Sequence, residues 1–171
     1  MAVTIRRLTE KDSRAYWALR LEAVKLHPEA FLTSYDEELA NGQEAIDERF
    51  RSSWSRPNSW ILGAFADEEL VGMIGFYRVE REKARHKVGI WGMYVREGFR
   101  SEGTGRQLLE RALGEMRSWP GVVKAILSVV TDNARALALY RSAGFESYGT
   151  EHKSMELGER FLDEHLMVCW L

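Results

Sequence analysis

The segment Arg100-Ser101-Glu102-Gly103-Thr104-Gly105-Arg106 follows a strand-like run and leads straight into an amphipathic helical pattern. The first turn of a helix exposes N–H groups with no intrahelical acceptor at its positive dipole end, and glycines let a phosphate approach them closely. A diphosphate is the ligand that such a segment suits. A Walker loop would need Gly-x-x-x-x-Gly-Lys-Ser/Thr, which is absent, and a Rossmann turn would need a third glycine where Leu108 stands. By itself a Gly-x-Gly at a helix start is also what an ordinary tight turn looks like.

The surrounding residues narrow the reading. Met93-Tyr94-Val95-Arg96-Glu97-Gly98-Phe99 leading into that loop resembles the acetyl-CoA signature of the GNAT N-acetyltransferase superfamily, and Asn133 through Tyr140 to Gly144-Phe145 resembles its companion segment. The resemblance departs at Glu97, where the family often has proline, and at Gly89, where some members carry a glutamate that serves as base. It implies a mixed α/β fold with a seven-stranded, mostly antiparallel sheet splayed between its fourth and fifth strands and flanked by about four helices. It also implies acetyl-CoA as co-substrate, held by Met93, Tyr94, Val95, Arg100, Ser101, Glu102, Gly103, Thr104, Gly105, Arg106, Asn133 and Tyr140, and it makes a homodimer plausible. Gly92 is a natural place for a bulge that frees backbone groups of Met93 to Val95 for the pantetheine arm.

Acetyl transfer to an amine needs a donor facing the thioester oxygen and a proton for the departing thiolate. A backbone N–H near Met93 or Tyr94 suits the first need. Tyr140 is the candidate general acid: a phenol stays protonated at neutral pH, and seven residues from Asn133 places both on one helix face. A core aromatic beside Leu137 is the alternative for Tyr140. No spacing selects a base among Glu37, Glu38, His86, His152, Glu159 and a water chain. Tyr35, Asp36, Glu37 and Glu38 can offer an aromatic face and negative charge to an amine, although carboxylates there also complement a helix dipole. Trp54, Trp60 and Trp91 belong to an acceptor pocket or to the core, with Trp91 preferred for the pocket. No His-Glu-x-x-His cluster occurs, so no metal is expected.

The elements that must position these groups alternate in type. Val3 to Leu8 reads as a strand, and Thr9 to Asp12 offers caps for a helix to Leu26 with Tyr16, Leu19, Ala23 and Leu26 inward. A mixed loop, Phe31 to Glu38, precedes a second helix from Leu39 to Trp54, closed by Ser55-Arg56-Pro57-Asn58-Ser59. Trp60–Ala66, Leu70–Val79 and His86–Val95 form an antiparallel meander. Gln107 to Trp119 is a helix, Lys124–Val130 a strand buried on both faces, and Asn133 to Ala143 a helix ended by Gly144. Glu146–Leu157 and Phe161–Leu171 are the last strands. The crossover rule makes the strands around Val95 and Val130 parallel.

With 171 residues and 45% hydrophobic content, the chain reads as one domain over residues 1–171. A net charge of −2 lacks the basic footprint of a nucleic-acid binder. The N-terminus has no apolar signal segment and no run spans a bilayer, so a soluble, cytoplasmic protein without membrane partners is expected. Cys169 is the only cysteine and reads as a buried thiol in the last strand. The expected activity is acetyl-CoA-dependent N-acetylation of a small-molecule or peptide amine in a ternary complex. The rival reading is a non-catalytic acyl-CoA-binding sensor.

Overall fold

The structure is a computed structural model and describes residues 3–54, 58–100 and 102–171. Seven strands form one sheet in the order β1-β2-β3-β4-β5-β7-β6: β1 Val3–Arg7, β2 Ser59–Ala66, β3 Glu69–Arg78, β4 Lys87–Val95, β5 Lys124–Val130, β6 Glu146–Leu157 and β7 Arg160–Trp170. Every neighbouring pair is antiparallel except β4 and β5. Five α-helices lie among the described residues: α1 Ser13–Leu26, α2 Tyr35–Trp54, α3 Glu97–Arg100, α4 Thr104–Arg117 and α5 Ala134–Ser142. The fifth, beyond the four expected, is the single turn α3, too short to show any hydrophobic period.

Alternation of side chains across the sheet separates two apolar layers. Leu62, Ile74, Phe76, Val88 and Ile90 face α4, whose Leu108, Leu109, Ala112, Leu113 and Met116 are all buried. Phe65, Leu70, Met73 and Tyr94 face Tyr16, Leu19 and Ala23 of α1 and Ile46 and Phe50 of α2. Trp60 belongs to the first layer, edge-on to Trp119 at 5.4 Å between centroids. Cys169 is buried in β7.

Four sequence expectations are corrected. Leu26 is 60% exposed because α1 ends on it and overhangs its partners; Val24 and Arg20 are buried instead. The second helix begins at Tyr35, not Leu39, because Ser34 and Glu37 form a capping box: the Glu37 N–H donates to Ser34 Oγ at 3.2 Å and the Ser34 N–H to Glu37 Oε2 at 2.8 Å. Strand β5 is not covered on both faces throughout, since Ser128 is exposed. Parallel pairing of β4 with β5 is confined to Lys87–Gly89 against Lys124–Ile126, and the strands have no paired residues around Val95 and Val130.

That separation has a visible cause. Met73 pairs with Tyr94 and Gly75 with Trp91, so β4 carries one extra residue against β3, and Gly92 at that bulge has φ +61°. The bulge turns the C-terminal half of β4 away from β5. Beyond Gly89 the β5-facing backbone of β4 is left without a strand partner, and a cleft opens there.

Candidate active site

A cavity of about 550 Å³ fills this cleft, lined by Met93, Tyr94 and Val95 of β4, by Arg100, Gly103, Gly105 and Arg106 of the loop and α4, and by Asn133, Leu139 and Tyr140. Residues far apart in sequence meet here because β4 and β5 diverge and each is followed by a helix that starts at the open end.

At one end stands the N-terminus of α4. Gly103 occupies the cap position with φ +81° and makes no side-chain cap, and the first helical bond is Gln107 N–H to Gly103 C=O at 3.0 Å. The N–H groups of Thr104, Gly105 and Arg106 therefore have no intrahelical acceptor. A Cβ on Gly103 would find only Gln107 Nε2, at 4.0 Å, so the space beside these donors is open. The Thr104 hydroxyl is buried and has no hydrogen-bond partner. These features fit a diphosphate group. Arg106 is exposed and pairs with Glu110 at 2.8 Å, and Glu102 is exposed. Ser101 lies outside the described residues.

Asn133 caps α5, its Oδ1 accepting from the Ala136 N–H at 3.1 Å. Two turns on, the Tyr140 hydroxyl lies 3.6 Å from the Met93 sulfur, which brings α5 against the bulged strand. Burial pushes the Tyr140 phenol up to about 12, because a phenolate there would lose its water without gaining a cation. The ring packs edge-on to Phe145, so Tyr140 belongs both to the core and to the cleft wall.

Sequence reasoning passed over His27. It lines the cleft, and Arg100 Nη2 is 2.8 Å from its Nε2. Arginine has only donors, so Nε2 accepts and the ring proton sits on Nδ1, 3.5 Å from Glu29 Oε1. Arg100 also donates through Nε to the Val95 carbonyl at 2.6 Å and lies over the Tyr94 ring. The Tyr94 hydroxyl donates to Glu22 at 3.0 Å, and burial followed by this carboxylate raises its pKa. Nothing in the spacing of His27, Glu22 and Arg100 announces this network, because three separate elements bring them together.

The acceptor-side candidates are dispersed. Glu37 caps its own helix, and Glu38 is 2% exposed, 3.4 Å from Arg20, which is also buried. Tyr35 is half-buried under Lys25. Trp91 lies flat over Gly75, and the Trp54 side chain lies outside the described ones. His152 pairs with Asp163 on the exposed β6–β7 hairpin, while Glu159 is exposed in its turn. The His86 carbonyl accepts the Val123 N–H at the start of the parallel pairing. Among the described residues no group of His, Cys, Asp or Glu side chains is arranged to hold a metal, and no helix is long and apolar enough to cross a membrane.

A splayed seven-stranded sheet with an uncapped glycine-led helix at its cleft has known relatives. The model of the acetyltransferase (GNAT) family matches residues 16–145, and the chain belongs to that family. Mycothiol acetyltransferase of Streptomyces scabiei is 31% identical over 151 residues, covering 87% of this chain and 44% of the relative. The N-alpha-acetyltransferase RimI of Mycobacterium tuberculosis is 36% identical over 108 residues, 61% of this chain and 63% of its own. The chain thus spans less than two thirds of either relative's length. Among solved structures, ribosomal-protein-alanine N-acetyltransferase from Brucella melitensis superposes with a TM-score of 0.78 at 28% identity, over 98% of this chain and 99% of the other. The yncA protein of Salmonella typhimurium, solved with its cofactor acetyl-CoA, has the same fold, with a TM-score of 0.86 at 22% identity over 100% and 95% of the two chains.

Proposed function

We propose that the protein is an acetyl-CoA-dependent N-acetyltransferase that passes the acetyl group directly to a primary amine of a small molecule or peptide. The observation that carries this reading is the alignment within one cleft of a free β4 backbone edge, the open α4 N-terminus and the Tyr140 hydroxyl beside Met93. Loose donors at Thr104 to Arg106 take the diphosphate, and the unpaired β4 edge takes the amide-bearing pantetheine arm as a strand takes a neighbour. That lays the thioester beside the bulge.

The neutral amine nitrogen then attacks the thioester carbon. A nitrogen–carbon bond forms, the carbon–sulfur bond breaks, the nitrogen loses one proton and the sulfur gains one. A backbone N–H near Met93 or Tyr94 faces the developing oxyanion. Tyr140 donates to the departing sulfur. Its raised pKa does not oppose this, because a thiolate formed in the same dry wall is raised by the same loss of water.

One feature favours the rival reading of an acyl-CoA sensor: Gly89 has no carboxylate, and the Tyr77 ring lies where a side chain at 89 would stand, 2.8 Å from the position of its Cβ. Thermal shift with acetyl-CoA, with ATP and NAD as controls, followed by CoA release on incubation with amines, separates the readings. Stabilisation by acetyl-CoA with CoA release supports the enzyme. Stabilisation without release supports the sensor, and absence of stabilisation refutes both.

A further inference from the structure

A second cavity, of about 1150 Å³, lies at the start of β4 and is lined by Tyr77, Arg78, Glu80, Arg81, Arg85 and Trp91. We infer that this cavity receives the acceptor, and that the acceptor is a small primary amine carrying an anionic group, a carboxylate or a phosphate. The inference deepens the acetyltransferase reading and rests on it.

Position is the first argument. Trp91 lines this cavity and Met93 lines the cofactor cleft, with only Gly92 between them. Even fully extended, two residues span no more than about 7 Å, and the bulge at Gly92 lies between them, so an amine held against Trp91 needs little reach to meet a thioester laid beside Met93. The second argument is that the walls are built for flat rings. A Cβ on Gly75 would lie 2.3 Å from Trp91 Cε2, and one on Gly89 would lie 2.8 Å from the Tyr77 ring. Two glycines thus let two aromatic rings lie down on the sheet and leave their outer faces to the cavity.

Charge is the third argument. Three arginines line the cavity against the single acidic residue Glu80, in a chain whose net charge is −2. Arg78 is fixed, donating through Nε to the Arg85 carbonyl and through Nη2 to the Pro120 carbonyl at 2.7 Å. Among the described residues no side-chain hydrogen bond or ion pair engages the guanidinium of Arg81 or Arg85. Planar donor forks matched to carboxylate or phosphate are therefore free at the rim. A polycationic amine would meet repulsion here. Of the acidic residues that would have drawn it, Glu37 is committed to its cap and Glu38 to Arg20.

The test compares matched amines by CoA release: L-phenylalanine against 2-phenylethylamine, and O-phosphoethanolamine against ethanolamine. The expected result is a kcat/KM at least 10-fold higher for the anionic member of one pair, carried mainly by KM, and the pair that shows it identifies the carboxylate or the phosphate. In the Arg81→Ala/Arg85→Ala variant, altered only at exposed positions, that preference should fall at least 10-fold with the acetyl-CoA thermal shift retained. Arg81→Lys/Arg85→Lys should keep part of it. Equal or better use of the neutral amines, no turnover of either anionic amine by protein that binds acetyl-CoA, or an unchanged preference in the alanine variant would overturn the inference. Failure of the wild-type protein to bind acetyl-CoA would instead remove the acetyltransferase reading beneath it.

Discussion

Arg20 and Glu38 face each other across the interface of α1 and α2, Nε to Oε2 at 3.4 Å, with side chains 8% and 2% exposed. Arg20 Nη1 lies 3.4 Å from where a Cβ on Gly92 would be, and neither this nitrogen nor Glu38 Oε1 has a hydrogen-bond partner. A buried pair of this kind is neutral as a unit but costly when halved. Arg20→Met and Glu38→Leu should each destabilise the fold by about 3–5 kcal/mol, whereas the double variant should lose much less. Urea unfolding of the four proteins measures this. Additive losses would mean that the two charges do not neutralise one another.

Gly103 tests the proposed cofactor site. Glutamate there meets no protein atom closely, but it forces an L-residue to φ +81° and places a negative charge beside the open N–H groups of α4. Gly103→Glu should cost about 1–2 kcal/mol of stability and abolish the acetyl-CoA thermal shift. A folded Gly103→Glu protein that still binds acetyl-CoA with near-normal affinity would show that the diphosphate lies elsewhere.

How far the sequence reveals this architecture depends on the range of the forces involved. The α4 face and the bulge at Gly92 are written in local pattern, as periodicity and as a glycine interrupting a strand. The start of α2 was legible too, in the Ser34-x-x-Glu37 box, but acidic residues beside an aromatic also suit a loop. The His27–Arg100 contact and the Arg20–Glu38 pair were not legible. They join residues 73 and 18 positions apart, and their types alone are ordinary for a helix surface. The same holds for the arginine-lined cavity, since the run from Arg78 to Lys87 reads as a solvated hairpin until the sheet places Trp91 beside it.

The Arg6–Asp12 pair gives a stability prediction in acid. Hydrogen bonds from Arg6, with further donation by the Thr9 N–H and hydroxyl, hold Asp12 down at about 2 from 3.8. A depressed carboxyl stabilises the fold above its unfolded value, and that stability is lost as pH falls from about 4 through about 2. Discounted for solvent screening, the contribution is about 1 kcal/mol at neutral pH. Asp12→Asn should unfold at lower urea than wild type at pH 7, and the gap should close towards pH 2. A gap independent of pH would assign the effect to packing instead.

Tyr140 carries the opposite sign. Its phenol is raised to about 12 by burial, so it stays protonated across the whole pH range of an acetylation assay. The stability linked to its neutral form is present below the unfolded value near 10 and is lost as pH rises through about 12. An alkaline limb in kcat/KM at pH 8–10 therefore belongs to another group, and Tyr140→Phe should leave such a limb in place. If, as proposed, the hydroxyl donates to the departing sulfur and not to the bound thioester, Tyr140→Phe should lower kcat by about 100-fold or more while acetyl-CoA affinity changes little. Single-turnover acetylation followed across pH measures both quantities. An unchanged chemical step in Tyr140→Phe would leave the ring as a core residue packed on Phe145, and the proton for the thiolate would have to come from water or from the amine itself.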